Sequence, residues 1–215
     1  MRIKVCCIES SAEASLAVAL GANALGLVSE MPSGPGVLEE SQIAAIVATV
    51  PPSVETWLLT SKVEVSVIVE QQHRCRVAAL QLCRDVGKKA RGELKSRLPG
   101  VRLIQVVHVE EGDALARVVE AATNSDALLL DSGSKSSGQL GGTGRVHDWA
   151  ESRKIVLESS LPVFLAGGLQ AANVAEAIDR VRPFAVDVCS GVRTRGQLDR
   201  TKLSAFVDAT SRRSY

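Results

Sequence analysis

Short runs rich in β-branched residues and leucine alternate along this chain with longer alanine-rich stretches of helical period. The short runs cover residues 3–8, 24–29, 54–60, 78–82, 103–109, 127–131, 163–166 and 185–189. Between and after them lie amphipathic stretches at 12–20, 39–50, 65–76, 86–97, 112–122, 148–159, 172–180 and 200–212. Continuous apolar strands alternating with helices predict a parallel sheet covered on both faces. Eight such units favour a closed (β/α)₈ barrel over an open doubly wound sheet.

Local signals mark several helix ends. Ser10 and Ser11 are suited to cap the first helix, and Gly21 to end it in a left-handed turn. Pro51-Pro52, Pro99-Gly100 and Pro183 follow the second, fourth and seventh. The stretch from Lys62 to Glu70 is double-edged. Val63, Val65, Val67 and Val69 alternate as in a strand, while the unit count requires a helix.

The chain's 215 residues fit one barrel spanning 1–215, compact against the roughly 250 usual for this architecture. Hydrophobic residues make up 46% and charged ones 23%, enough for a full core, which excludes disorder as the main state. Twenty-five Lys and Arg balance 24 Asp and Glu. That argues against an electrostatic grip on nucleic acid or an anionic membrane. With aromatics at 3%, there is no platform for stacking bases. The apolar run in MRIKVCCIESSAEA ends at Glu9, too short for a signal-peptide core or a membrane span, so the cytoplasm is the expected compartment. The five cysteines are odd in number and irregularly spaced, without metal-ligand spacing, so neither a metal site nor a disulfide framework is expected. Their default is burial as small apolar groups.

In a barrel, functional groups sit at the C-terminal strand ends and on the loops that follow. The chain places Cys6 and Cys7, Ser29–Gly36, Gln81–Arg84, Asp131 with Gly141-Gly142-Thr143-Gly144, Gly167-Gly168, and Asp187 with Ser190-Gly191 at such points. The glycine loops after strands seven and eight read as two halves of a phosphate cradle, since bare backbone N–H groups can approach an anion. Their bland alternative is a pair of tight turns. Asp131 closes an apolar run and suits general acid or base work if partial burial tunes it. The bland alternative is a turn aspartate. Cys6 can serve as a thiolate if positive charge lies near, and Lys4, two residues earlier, shares its side of the strand. The same alternation sends Cys7 toward the helices. His73 and His108 have no evident role, and His147 reads as surface.

These residues resemble the phosphoribosylanthranilate isomerase family, the barrel enzymes of tryptophan biosynthesis. Ile-Lys-Val-Cys-Cys-Ile at 3–8 is similar to the family's Val-Lys-Ile-Cys-Gly-Ile, and Gly-Ala-Asn-Ala-Leu-Gly-Leu-Val at 21–28 to its Gly-Ala-Asp-Ala-Leu-Gly-Phe-Val. Leu-Leu-Asp-Ser at 129–132, with Gly-Gly-Thr-Gly-Arg-Val-His-Asp-Trp at 141–149, resembles its sixth-strand signature. Leu-Ala-Gly-Gly-Leu at 165–169, Asn173-Val174 and Val-Asp-Val-Cys-Ser-Gly-Val at 186–192 complete the likeness, which runs the length of the chain.

The resemblance implies a cofactor-free Amadori rearrangement with Cys6 as general base and Asp131 as general acid. It implies a small phosphorylated substrate bound by Lys4, Gly142, Gly167, Gly168, Asp187, Ser190 and Gly191, on a monomer or homodimer. The family's Ser-Pro-Arg, whose arginine pairs with the substrate carboxylate, is here Ser33-Gly34-Pro35. Its Gln-Leu-His-Gly is here Gln81-Leu82-Cys83-Arg84, and Cys7 stands for a glycine. Arg84 is the candidate replacement partner for the carboxylate, since a guanidinium suits that pairing. The alternatives are another sugar-phosphate enzyme, an epimerase or lyase, on the same barrel, or a phosphate-binding barrel without catalysis.

Overall fold

Eight parallel strands close on themselves in sequence order, with the eighth paired to the first. They are β1 (Arg2–Val5), β2 (Ala24–Val28), β3 (Glu55–Thr60), β4 (Ala79–Leu82), β5 (Arg102–His108), β6 (Ala127–Asp131), β7 (Val163–Leu165) and β8 (Ala185–Val188). The helices that return the chain are α1 (Ser11–Ala19), α2 (Glu40–Val47), α3 (Val65–Cys75), α4 (Gly87–Arg97), α5 (Ala114–Ala122), α6 (Trp149–Glu158) and α7 (Val174–Val181), and α8 (Arg200–Ser211) follows the last strand. This computed structural model describes residues 1–32, 34–109, 114–132 and 148–211, with the backbone alone at 114–117. Gly142, the rest of its glycine run and His147 lie outside the described residues.

Alternation within each strand divides the interior in two. Ile3, Val5, Leu25, Leu27, Leu80, Leu82, Leu128, Leu130, Val186 and Val188 face outward into one apolar layer beneath the helices. Ala24, Trp57, Ala79, Ile104, Ala127, Leu129, Phe164 and Ala185 fill the barrel itself. Trp57 and Phe164 meet edge-on with centroids 4.7 Å apart. The same phase carries Lys4, Asp131 and Asp187 inward, because each lies an even number of residues from an inward neighbour on its strand or on the strand paired with it.

The valine-rich stretch folds as α3, so the demand for a covering helix outweighs local β-propensity. Arg76, in the left-handed region at φ 56°, terminates it. The first helix starts where Ser10 accepts a hydrogen bond from the Glu13 amide, and Gly21 at φ 96° turns the chain after it. Helix α2 ends three residues sooner than expected, and the chain turns before Pro51.

Two corrections concern the strand ends. The first run was expected to stay extended through residue 8, yet β1 stops at Val5. Cys7 takes φ 60°, the left-handed region that favours glycine. The expectation that Cys7 points toward the helices therefore fails: its thiol joins that of Cys6 on the inner side. After β8 the chain makes a 3₁₀ turn, Ser190–Val192, and a small hairpin, β9 (Arg193–Thr194) with β10 (Gln197–Leu198), that periodicity does not reveal.

Candidate active site

Lys4 and Asp187 are partners in the β1–β8 register, so their side chains meet inside the barrel. Lys4 Nζ donates to Asp187 Oδ1 at 2.9 Å, and the lysine has no solvent exposure. The ammonium also sits 5.3 Å from the centre of the Trp57 ring. Burial alone would lower the Lys4 pKa, but the Asp187 carboxylate, with Cys6 and Cys7, raises it above the usual range. Lys4 is therefore a fixed positive charge in a low-dielectric mouth.

Cys6 follows the end of β1, where its N–H still bonds the Val188 carbonyl at 2.8 Å. Its thiol and the Lys4 ammonium converge over Gly26 of β2. A Cβ there would stand 2.8 Å from Cys6 Sγ and 3.1 Å from Lys4 Nζ. The hydrogen bond from Cys7 Sγ lowers the Cys6 pKa, burial opposes this, and Lys4 adds to the lowering. The net direction is down, which favours the thiolate that a general base requires. Cys83, a further inward thiol near Cys6, is pushed up to about 12 by burial and is no competitor for that role.

Asp131 ends β6 on the inward face, next to His108 of β5 in the register. It is half-buried, and burial lifts its pKa to about 6, with the Asp187 charge adding and the Ser132 amide and Lys4 opposing. Ser132 N donates to Asp131 Oδ1 at 2.7 Å. A carboxyl with that pKa can hold a proton and release it near neutrality. Thus the mouth holds one group biased toward its base form and one toward its acid form, just after β1 and at the end of β6, with the Lys4–Asp187 pair acting on both.

The two glycine loops touch. Gly167 and Gly168 have φ of 85° and 63°, and Asn173 Nδ2 bonds the Gly168 carbonyl at 3.0 Å. A Cβ on Gly191 would lie 2.0 Å from the Leu169 carbonyl oxygen, so glycine is required at 191 for the close approach. Among the described residues no carbonyl accepts from the N–H of Gly167 or Gly168. Ser190 and Gly191 open a 3₁₀ turn, where amides have no acceptor within the turn. This is the makeup of an anion cradle.

Arg84 follows β4 and is exposed, and among the described residues no carboxylate pairs with it. It makes none of the contacts that join Lys4, Cys6, Cys7 and Asp187. On the neighbouring loops, Lys62 is taken up by Glu30 at 2.6 Å.

Three features escaped the sequence. Arg193 is a buried cation whose guanidinium grips both carboxylate oxygens of Glu13, at 3.1 and 3.0 Å, and donates to the carbonyl of Cys7. Cys189 brings its Sγ to 2.8 Å from that of Cys7. Gly36, at φ 76°, packs so closely on Cys7 that a Cβ would stand 2.9 Å from the Cys7 Cβ. No pattern of residue types signals these, because each depends on a loop conformation that strand alternation does not set.

The family model described as N-(5'phosphoribosyl)anthranilate (PRA) isomerase matches residues 3–209. The protein named N-(5'-phosphoribosyl)anthranilate isomerase in Methanocella arvoryzae is 36% identical over 191 residues, covering 89% of this chain and 88% of that one. Its namesake in Halobacterium salinarum is 38% identical over 212 residues, covering 96% and 94%. The crystal structure of phosphoribosyl anthranilate isomerase from Thermus thermophilus superposes with a TM-score of 0.84 at 26% identity, covering 98% of each chain. With a family match over nearly its whole length and a barrel of the same form, the chain belongs to the phosphoribosylanthranilate isomerase family.

Proposed function

We propose that this protein converts N-(5'-phosphoribosyl)anthranilate to 1-(o-carboxyphenylamino)-1-deoxyribulose 5-phosphate, with Cys6 and Asp131 as the acid–base pair. The observation that carries this reading is their placement: two inward groups at the mouth with oppositely useful proton affinities, flanking one buried ion pair. Asp131 gives its proton to the ribose ring oxygen, and the ring opens to a Schiff base. Cys6 thiolate takes the hydrogen on the second sugar carbon, giving an enolamine. Tautomerisation of that enolamine to the ketone completes the isomerisation without an external electron donor or acceptor.

The contact between the β7 and β8 loops supports Gly167, Gly168, Ser190 and Gly191 as the holders of the substrate phosphate. Arg84, free of carboxylate partners among the described residues, is the side chain we assign to the aromatic carboxylate, whereas Lys62 is already neutralised by Glu30. Free thiols and cofactor-free chemistry suit the reducing cytoplasm. Among the described residues no helix is long and apolar enough to cross a membrane.

The test is complementation of a tryptophan auxotroph lacking the isomerase, followed by kinetics on the purified protein. Cys6→Ala and Asp131→Asn should abolish growth and turnover while folding is retained. Arg84→Met should raise KM with little change in kcat. Growth supported by Cys6→Ala would overturn the assignment of the base. No growth with the wild-type chain, although it is folded and expressed, would overturn the substrate.

A further inference from the structure

The mouth contains more sulfur than proton transfer requires. Cys7 lies between two other thiols, with its Sγ 3.8 Å from that of Cys6 and 2.8 Å from that of Cys189. All three cysteines are free. Cys6 and Cys7 are buried, while Cys189 is partly exposed, so the row leads from the candidate base toward solvent. The row exists because Cys7 occupies a left-handed position, which turns its side chain inward. Arg193 holds that conformation by bonding the Cys7 carbonyl, and the missing side chain of Gly36 leaves room for the Cys7 Cβ. Cys189 arrives from β8, whose inward phase matches Asp187.

We propose that Cys6, Cys7 and Cys189 form an oxidation site for hydrogen peroxide, in which Cys7 and Cys189 end as a reversible disulfide and Cys6 is returned to the thiol state. The chemistry balances in three steps. Cys6 thiolate attacks the O–O bond, giving Cys6 sulfenic acid and a hydroxide that takes up a proton and leaves as water. Cys7 sulfur attacks the sulfenic sulfur, loses its own proton and expels the second oxygen as water, forming a Cys6–Cys7 disulfide. Cys189 thiolate then attacks Cys7 Sγ and releases Cys6 thiolate. In sum, one peroxide and two thiols become two waters and a Cys7–Cys189 disulfide.

Geometry decides the direction. Adjacent cysteines close a strained small ring, and strained disulfides are the more readily cleaved. Cys7 and Cys189 come from different strand ends and are already in contact, well inside ordinary non-bonded separation, so a bond of about 2.05 Å needs a modest shift. The lowered Cys6 pKa supplies the reactive thiolate, and a Cys6 left alone at the sulfenic stage would be carried by a second peroxide to an irreversible sulfinic acid, with release of water. The other thiols lie outside the relay: Cys75 is on α3, and Cys83 Sγ bonds the Gln81 carbonyl.

The experiment treats the purified full-length protein with one equivalent of hydrogen peroxide, blocks remaining thiols, and maps peptides by mass spectrometry without reductant. The expected product is a peptide pair joined through Cys7 and Cys189, with Cys6 alkylated, reversed by dithiothreitol. Cys6→Ala should lose the rapid formation of that link. In Cys7→Gly, which suits the left-handed backbone, a second equivalent of peroxide should carry Cys6 on to sulfinic acid that dithiothreitol does not reverse, whereas Cys189→Ser should stop at a Cys6–Cys7 disulfide that dithiothreitol cleaves. Each variant is compared with its own untreated sample. A wild-type protein that gives Cys6 sulfinic acid without the link, a lasting Cys6–Cys7 bond in wild type, or a Cys7→Gly variant that resists irreversible oxidation as well as wild type would overturn the proposal. The readout is chemical, so it stands or falls separately from the isomerase assignment.

Discussion

Replacing Lys4 by methionine tests the central electrostatic argument, because it removes the charge and keeps most of the bulk. An exposed ion pair is worth about 0–1 kcal/mol. Lys4 and Asp187 are not exposed: their side chains are 0% and 8% accessible, with the contact at 2.9 Å. Breaking a buried pair leaves an uncompensated charge and costs about 3–5 kcal/mol. Without Lys4, the Asp187 carboxylate is left buried with no counter-charge. Urea unfolding at pH 7 should show that loss for Lys4→Met. Adding Asp187→Asn removes the orphaned charge, so the double variant should be more stable at pH 7 than Lys4→Met, with an interaction energy of about 2–3 kcal/mol. Activity should not return with stability, because Cys6 has lost the positive charge that favours its thiolate. A single-variant cost below about 1 kcal/mol at pH 7, or strict additivity in the double, would refute the buried-pair reasoning.

Asp131, lifted to about 6 by burial, makes the folded state less favourable as pH rises from about 4 through 6. Asp131→Asn should remove that decline and gain up to about 3 kcal/mol over wild type above pH 6 by denaturant unfolding, less where water reaches the half-buried carboxylate; equal pH profiles would contradict this. Inorganic phosphate at a hundredfold excess over its dissociation constant should stabilise wild type by about 2.7 kcal/mol. Gly191→Ala, which drives a Cβ into the Leu169 carbonyl, should lose that thermal shift, and an unchanged shift would remove the loop contact from the phosphate argument. Gly36→Ala should cost about 1–2 kcal/mol from its left-handed backbone alone, plus the clash with Cys7. In a Cys7→Gly background the same substitution should cost less by thermal unfolding, and equal costs would mean that the two positions are not in contact.

The barrel was legible because every strand obeys one rule. Most strand positions on both faces are buried, so the strands read as apolar runs, and the polar residues of the inward phase gather at the two ends, Lys4, Gln81, His108, Asp131 and Asp187 toward the mouth and Arg2, Glu55 and Arg102 at the opposite end. The contact between the two glycine loops was legible for the same reason that Gly191 cannot carry a side chain: a close backbone approach leaves a residue-type signature. What alternation does not encode begins where the strand ends. Cys6 still follows β1's phase, but Cys7 does not, since a positive φ reverses the side-chain direction. Arg193 was silent because a charged residue on a polar hairpin looks solvated until Glu13 and the Cys7 carbonyl are seen around it. The hairpin itself has strands of two residues, below the length at which a period is defined.

The departures from the family pattern near β1 are physically connected. A cysteine where the family has glycine must either avoid the left-handed region or be held in it, at a cost of about 1–2 kcal/mol for a residue with a Cβ. Here it is held. Arg193 anchors the carbonyl from one side, Cys6 and Cys189 contact the thiol, and Gly36 supplies the space on the other. A side chain at 36 would need that space, so the chain passes Cys7 there without one, and residues 29–39 carry no lysine or arginine. The thiol at position 7 and the bare glycine at position 36 are thus consequences of one packing choice. They stop short of Lys4, Asp131 and Asp187, whose positions are set by strand register and not by the loops that changed.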